Sequence, residues 1–286
     1  MYNKIVVGFD NSPTSINALT EVAGRVRGNG SHITLVHAVY HDSAEFDISR
    51  GQLDSRLTVG KAACVKAAGE FKAEYSVDIA PLVREGEADE VLVEVARDFD
   101  ADIVALGTHG RKGIRRLIMG SVTSGVIEKS PCDVLVVNAP CTNGCNGDYG
   151  SILVAYDGSE HSKKALERAV ALAGTDKHEI TVLYVIPSYQ EMVGFFKTDS
   201  IKKAIFEEAE KILDGARKSM NDSGKTLATI VQDGHAASAI ADMAAKLKSE
   251  LIVMGSHGWT GVEKAIMGST TERVIVNAPC PVLVVR

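Results

Sequence analysis

The chain has no run of 18 uninterrupted apolar residues, so no membrane span is expected. It has no excess of positive charge either. Its formal net charge is −6, which argues against a nucleic-acid binder, since such proteins carry a basic face. Cysteine is sparse, with five in 286 residues and no paired framework. Cys64, Cys132 and Cys280 fall in helix-like or strand-edge contexts and read as buried structural thiols. Cys141 and Cys145 have Cys-x3-Cys spacing, but no second pair stands at zinc spacing, so they read as linker cysteines. Two phosphate-binding signatures are missing as well. There is no G-x-x-x-x-G-K-[ST] and no G-x-G-x-x-G, so neither a P-loop nor a dinucleotide fingerprint is written here. The opening Met1-Tyr2-Asn3-Lys4 leads into the short apolar run Ile5-Val6-Val7-Gly8, which Asp10 ends. That run is too short for a signal-peptide core, and a cytoplasmic location is expected.

What the chain does have is a doubled glycine loop. Gly107-Thr108-His109-Gly110 is followed by nine residues and then Gly120-Ser121, and the pattern recurs as Gly255-Ser256-His257-Gly258, nine residues, Gly268-Ser269. Each copy follows an apolar strand-like run and precedes a helix-like run. A repeat of this length means two similar domains in tandem. We expect the first at residues 1–138, a linker rich in Gly, Asn and Pro at 139–150, and the second at 151–286.

Within the first copy, strands are expected at 4–9, 32–39, 77–84, 102–106 and 133–137, and helices at 13–27, 53–75, 88–99 and 121–129. Ser12 is the expected N-cap of the first helix. The second copy predicts strands at 151–156, 179–185, 226–232, 251–254 and 281–285, and helices at 161–173, 201–223, 236–247 and 270–276. Strands of near-continuous Val, Ile and Leu that alternate with helices predict an α/β fold: two doubly wound parallel sheets, each covered by helices on both faces. Ligands of such sheets bind beyond the carboxyl ends of the strands, where strand order reverses.

Several residues at those ends suit an anion. Gly107 and Gly255 follow strands, where a glycine permits positive φ and close approach of a ligand. Gly120-Ser121 and Gly268-Ser269 open helices whose free N–H groups and positive dipole end favour phosphate. Ser121 and Ser269 are expected either to cap those helices or to donate a hydroxyl bond to the phosphate. Arg111 stands just past the first loop, where it can pair with β- or γ-phosphates, and the second copy has Trp259 there. Asp10 and Asp157 end the first strand of each copy. Such a carboxylate accepts from a ribose hydroxyl or holds phosphate-bound Mg2+, and the plainer alternative is a turn and helix-cap aspartate. His109 and His257 recur inside the loops without a nucleophile or acid partner at recognisable spacing, and are expected to orient the loop rather than catalyse. His37 and Tyr184, within second strands, read as core or rim residues.

The pattern G-x2-G-x9-G-[ST], after a strand and with D-x-S at the end of the first strand, resembles the universal stress protein family, in a tandem two-domain form. The resemblance spans the chain apart from the linker and two long loops. It implies a five-stranded sheet of order 3-2-1-4-5 in each domain and ATP or AMP at the strand ends. On this resemblance Asp10 and Asp157 meet ribose or metal-bound phosphate, and Ala38 and Val185 offer backbone groups to adenine. Gly107, Gly110, Gly120, Ser121 and Val122 hold the phosphates of one nucleotide. Gly255, Gly258, Gly268, Ser269 and Thr270 hold those of a second. Family members dimerise through the last strand, so 134–137 and 282–285 are expected to pair within one molecule, with a homodimer as a further arrangement. Asn11, where copy two has Gly158, and Trp259, where copy one has Arg111, depart from the pattern.

The expected function is nucleotide-dependent sensing or regulation in a stress response. The alternatives are a weak ATPase or phosphotransferase using Asp10 and His109, and a nucleotide-free scaffold. The loop at 186–200, with Tyr189, Met192, Phe195 and Phe196, reads as a lid, a partner surface or a packed helical cap.

Overall fold

A computed structural model describes residues 2–40, 50–108, 119–138, 147–174, 179–187, 199–220, 227–256 and 268–286. Gly110, Arg111, Gly258, the two loop histidines, Trp259, Cys141, Cys145 and the aromatic residues of the 186–200 loop lie outside these. The chain divides into two units, Met1–Gly147 and Asp148–Arg286.

Unit 1 runs β1 (Lys4–Gly8), α1 (Pro13–Arg25), β2 (His32–Val39), α2 (Arg50–Tyr75), β3 (Asp78–Glu85), α3 (Ala88–Asp98), β4 (Ile103–Gly107), α4 (Ser121–Lys129) and β5 (Asp133–Val137). Its strands lie in the order β3-β2-β1-β4-β5, and every pairing is parallel. Unit 2 runs β6 (Ser151–Ala155), α5 (Glu160–Leu172), β7 (Glu179–Pro187), α6 (Asp199–Met220), β8 (Leu227–Gly234), α7 (Ala236–Leu247), β9 (Leu251–Gly255), α8 (Ser269–Asn277) and β10 (Val282–Val285). Its order is β8-β7-β6-β9-β10, again parallel throughout.

The hydrophobic runs explain the layering. Ile5, Val6 and Val7 of β1 are all buried, as are Ile103 through Leu106 of β4, so side chains on both faces of these strands are covered. In unit 1, α1 and α2 touch each other, and α3 packs on α4. β1 pairs with β2 on one side and β4 on the other, so the loops that leave β1 and β4 diverge and open a crevice at their carboxyl ends.

Helix starts follow the sequence closely. Ser12 caps α1 by accepting the Ser15 N–H at 3.2 Å, and Ser159 caps α5 by accepting the Ser162 N–H at the same distance. Helix α1 stops at Arg25, short of the expected Arg27, and Gly28 and Gly30 follow at φ 70° and 83°. Within α1 the fully buried Glu21 pairs with Arg25 at 3.0 Å, and Arg25 Nη1 also donates to the Gly147 carbonyl at 3.4 Å. Gly86 and Gly234 both take φ 137°, a region reserved for glycine, where β3 and β8 turn into the following helices. Cys64 and Cys280 are buried as expected, whereas Cys132 is half-buried, with its Sγ 3.6 Å from Ser130 Oγ. Burial pushes the Cys64 thiol up to about 11. No helix among the described residues is long and apolar enough to cross a membrane.

Candidate functional site

The site starts where β1 ends. The Phe9 N–H continues the ladder to the Val36 carbonyl at 2.8 Å, and the chain then turns. Asn11 takes φ 62° there and its counterpart Gly158 φ 82°. The departure from glycine at position 11 therefore preserves the backbone, because asparagine tolerates the left-handed region better than most residues. Asp10 Oδ1 accepts the Ser12 N–H at 2.9 Å, and Asp157 Oδ1 accepts the Ser159 N–H at 3.0 Å. Both aspartates thus do the turn-forming work that was their plainer reading. His37 supports the same loop from β2, since its Nδ1–H donates to the Phe9 carbonyl at 2.7 Å. Gly60 lets α2 close on that ring, where an added Cβ would come within 2.5 Å of His37 Cδ2. Unit 2 has Tyr184 at the position of His37. Burial, and then the neighbouring Asp157 carboxylate, raises the Tyr184 hydroxyl above its usual value, so it stays protonated at neutral pH.

The second wall is the glycine loop. Gly107 ends β4 and Gly255 ends β9, but neither adopts positive φ. The expected reason for these glycines is therefore corrected. A Cβ on Gly107 would stand 2.6 Å from Thr14 Cβ and 2.7 Å from the Thr14 carbonyl carbon, and one on Gly255 would stand 2.6 Å from His161 Cβ. The first turn of α1 or α5 lies directly on the strand end, and only a residue without a side chain fits. The loop's two ends are tied together. The Gly120 N–H donates to the Thr108 carbonyl at 3.1 Å, and Thr123 Oγ1 donates to the Gly107 carbonyl at 3.0 Å.

The helix that follows carries a second correction. The N-caps of α4 and α8 are Gly120 (φ −65°, ψ 146°) and Gly268 (φ −63°, ψ 137°), not the serines. Ser121 and Ser269 already have helical backbone, whereas a capping serine needs the extended conformation its neighbour has taken. A glycine cap brings no side-chain acceptor, and neither helix has a side-chain cap bond. The N–H groups of the first turn of α4 are thereby left for another acceptor.

These pieces enclose one cavity of about 540 Å³ in unit 1. Asp10, Ala38, Gly107, Gly120, Ser121 and Val122 all line it. Asp157 stands beyond β6, Val185 in β7, Gly255 at the end of β9, and Gly268, Ser269 and Thr270 at the start of α8. Each holds in unit 2 the fold position of its unit 1 counterpart. Sequence reasoning missed Tyr40, Leu92 and Thr123, which also line the unit 1 cavity. Tyr40 was within reach, because it stands two residues past Ala38 and the side chains of an extended chain share a face at period two. Leu92 was not, because it arrives from α3 by tertiary packing. The cavity is polarised in layout. Because β2 and β4 flank β1 on opposite sides, Val36 and Ala38 line it from one side and the Gly107–Thr108 strand end and the α4 N-terminus from the other, while Leu92 enters from α3. Among the described residues no three His, Cys, Asp or Glu side chains gather to hold a metal ion.

Comparison with known proteins agrees with this architecture. The chain is 36% identical over 154 residues to a universal stress protein of Methanocaldococcus jannaschii, covering 53% of this chain and 89% of that protein. It is 33% identical over 147 residues to the universal stress protein YxiE of Bacillus subtilis, covering 48% of this chain and 99% of the relative. A crystal structure of a universal stress protein from Archaeoglobus fulgidus shares the fold along 99% of this chain and 96% of its own, with a TM-score of 0.73 at 20% identity. The model of the universal stress protein family matches twice, at residues 1–138 and 148–286, and the chain belongs to that family.

Proposed function

We propose that the unit 1 cavity binds an adenine nucleotide, ATP or AMP, and that the protein serves as a nucleotide-dependent sensor or regulator in a stress response. One observation carries the reading: six residues nominated from three separate stretches of sequence line the same cavity. The anionic end of the ligand lies at the α4 N-terminus, where backbone N–H groups and the helix dipole favour phosphate. The base lies against the apolar wall beside Ala38, and Asp10 meets the ribose or a phosphate-bound Mg2+. Arg111, in the 109–118 segment, supplies positive charge for a β- or γ-phosphate.

The magnitudes are sufficient. A hydrogen bond to a charged group is worth about 1.5–3 kcal/mol net. Three or four of them plus a buried base reach the roughly 8 kcal/mol of a micromolar complex, before ordering costs. In unit 2, Asp157, Val185, Gly255, Gly268, Ser269 and Thr270 form the corresponding site. No catalytic group is required for binding of this kind, and none is assigned.

Titration calorimetry of ATP, with and without Mg2+, tests the reading on the wild type and Gly120→Asp. A carboxylate at the N-cap of α4 repels the phosphate and fills its space, so unit 1 binding is expected to disappear. Equal heats from both proteins would remove the assignment.

A further inference from the structure

The apolar end of the unit 1 cavity holds a residue that the reading so far leaves unused. Tyr40 follows directly after β2 and lines the cavity in the same wall as Val36 and Ala38. The three are spaced two apart, the period at which side chains of an extended chain share a face. Yet Tyr40 is 48% exposed, whereas Val36 is 1% exposed. It stands at the rim of the cavity, where a tyrosine can set its ring against an apolar group and keep its hydroxyl in water.

Resting on the nucleotide reading, we infer that Tyr40 is the platform on which the base of the ligand stacks, and that it makes unit 1 select ligands with a planar heteroaromatic base over bare sugar phosphates. The opposite wall handles only charge. The α4 N-terminus attracts a phosphate whatever it is attached to, so it cannot tell a nucleotide from a sugar phosphate. Discrimination must come from the apolar end, where a flat ring face is the group that recognises another flat ring. Val36 and Ala38 supply one side of a slot for the base, and Tyr40 closes it at the solvent edge. The platform belongs to unit 1. In unit 2, Ile186 pairs with Asp233 as Val39 pairs with Glu85, so the position of Tyr40 falls to Pro187. Proline has no aromatic ring face, so weaker base selectivity is expected there.

The test compares AMP with ribose 5-phosphate on the full chain carrying Gly268→Asp, which removes the unit 2 phosphate site and leaves unit 1 to be read alone. Stacking on an aromatic side chain is worth about five- to 150-fold in affinity. Tyr40→Leu is therefore expected to weaken AMP at least about fivefold and to leave ribose 5-phosphate within about twofold. Tyr40→Phe keeps the ring face and is expected to hold AMP within about twofold of the parent. By proton NMR, the H2 and H8 signals of bound adenine shift upfield in the parent and in Tyr40→Phe, and that shift is lost in Tyr40→Leu. AMP affinity unchanged in Tyr40→Leu overturns the stacking role alone, as does an equal loss for both ligands, which would mark Tyr40 as merely structural. A parent protein that binds no AMP overturns the nucleotide reading, and the stacking role falls with it.

Discussion

Gly107 and Gly255 look like ligand-facing glycines, but the contacts of their missing Cβ atoms assign them to helix packing. Gly268 is different. A Cβ there would meet Thr271 Oγ1 at 3.7 Å and the Ser256 carbonyl at 3.8 Å, which are ordinary contacts. Among the described residues nothing demands glycine at position 268. Two matched substitutions separate the roles. Gly255→Ala is expected to destabilise the protein by about 1–3 kcal/mol, the usual cost of overpacking, because His161 backbone atoms as close as 2.9 Å cannot rotate away. Gly268→Ala keeps an allowed backbone and is expected to cost at most about 1 kcal/mol, from the poorer N-cap. Urea denaturation of the two variants checks the ordering. The idea fails if Gly268→Ala proves the more damaging substitution.

At the scale of elements, the join between β1 and β4 is held at its amino-terminal end by Asp102. Its Oδ2 accepts the N–H groups of Asn3 at 2.7 Å and Lys4 at 2.9 Å. Unit 2 repeats the device with Glu250, whose Oε2 accepts the Gly150 N–H at 3.2 Å. Partial burial raises the Asp102 carboxyl, but the two backbone donors and the Lys4 charge outweigh it and leave the group below its ordinary 3.8. A depressed carboxylate stabilises the fold above its unfolded-state value, and that contribution fades as pH falls through the lower folded-state value. Thermal melts should therefore show Asp102→Asn below wild type at pH 7, with the gap closing under acid as the wild-type carboxyl protonates. A gap independent of pH would remove the charge from the account. Elements of this kind were readable from residues. The Asp133–Val137 strand, the Ser121–Lys129 helix and the Ser12 cap follow from runs of β-branched residues, Gly-Ser punctuation and Ser-Pro order, all of them local signals. The reason for Gly107 was not readable, because it depends on how near α1 lies to β4. Nor was Leu92, which reaches the cavity from a helix whose apolar face looks like any other in the sequence. Capping, one of the two roles expected of Ser121 and Ser269, falls one position earlier on Gly120 and Gly268, because Gly-Ser presents two residues suited to the same task.

For the whole molecule, the repeated architecture makes the residue differences between units informative. The turns after β1 and β6 match to about a tenth of an ångström in their Asp–Ser and Ser–Ser bonds, so these turns do not distinguish the two sites. Charge does. Helix α4 has no acidic residue in its first turn, and the place of Ser124 is taken in α8 by Glu272. A carboxylate near a helix N-terminus is favourable to the helix but competes with an incoming anion for the same positive end. We therefore expect unit 2 to bind a nucleotide phosphate more weakly than unit 1, so that a titration of the intact protein shows two phases. Gly120→Asp should abolish the tighter phase and leave the weaker one. Adding Glu272→Ser to that background should strengthen the remaining phase about two- to fivefold, with the larger gain at low salt where the carboxylate is least screened. A remaining phase that ignores Glu272→Ser at every ionic strength would refute the electrostatic account. The difference between the sites would then rest with Tyr40 against Pro187, or with the 109–118 and 257–267 segments, where the second copy of the sequence has Trp259 in place of Arg111.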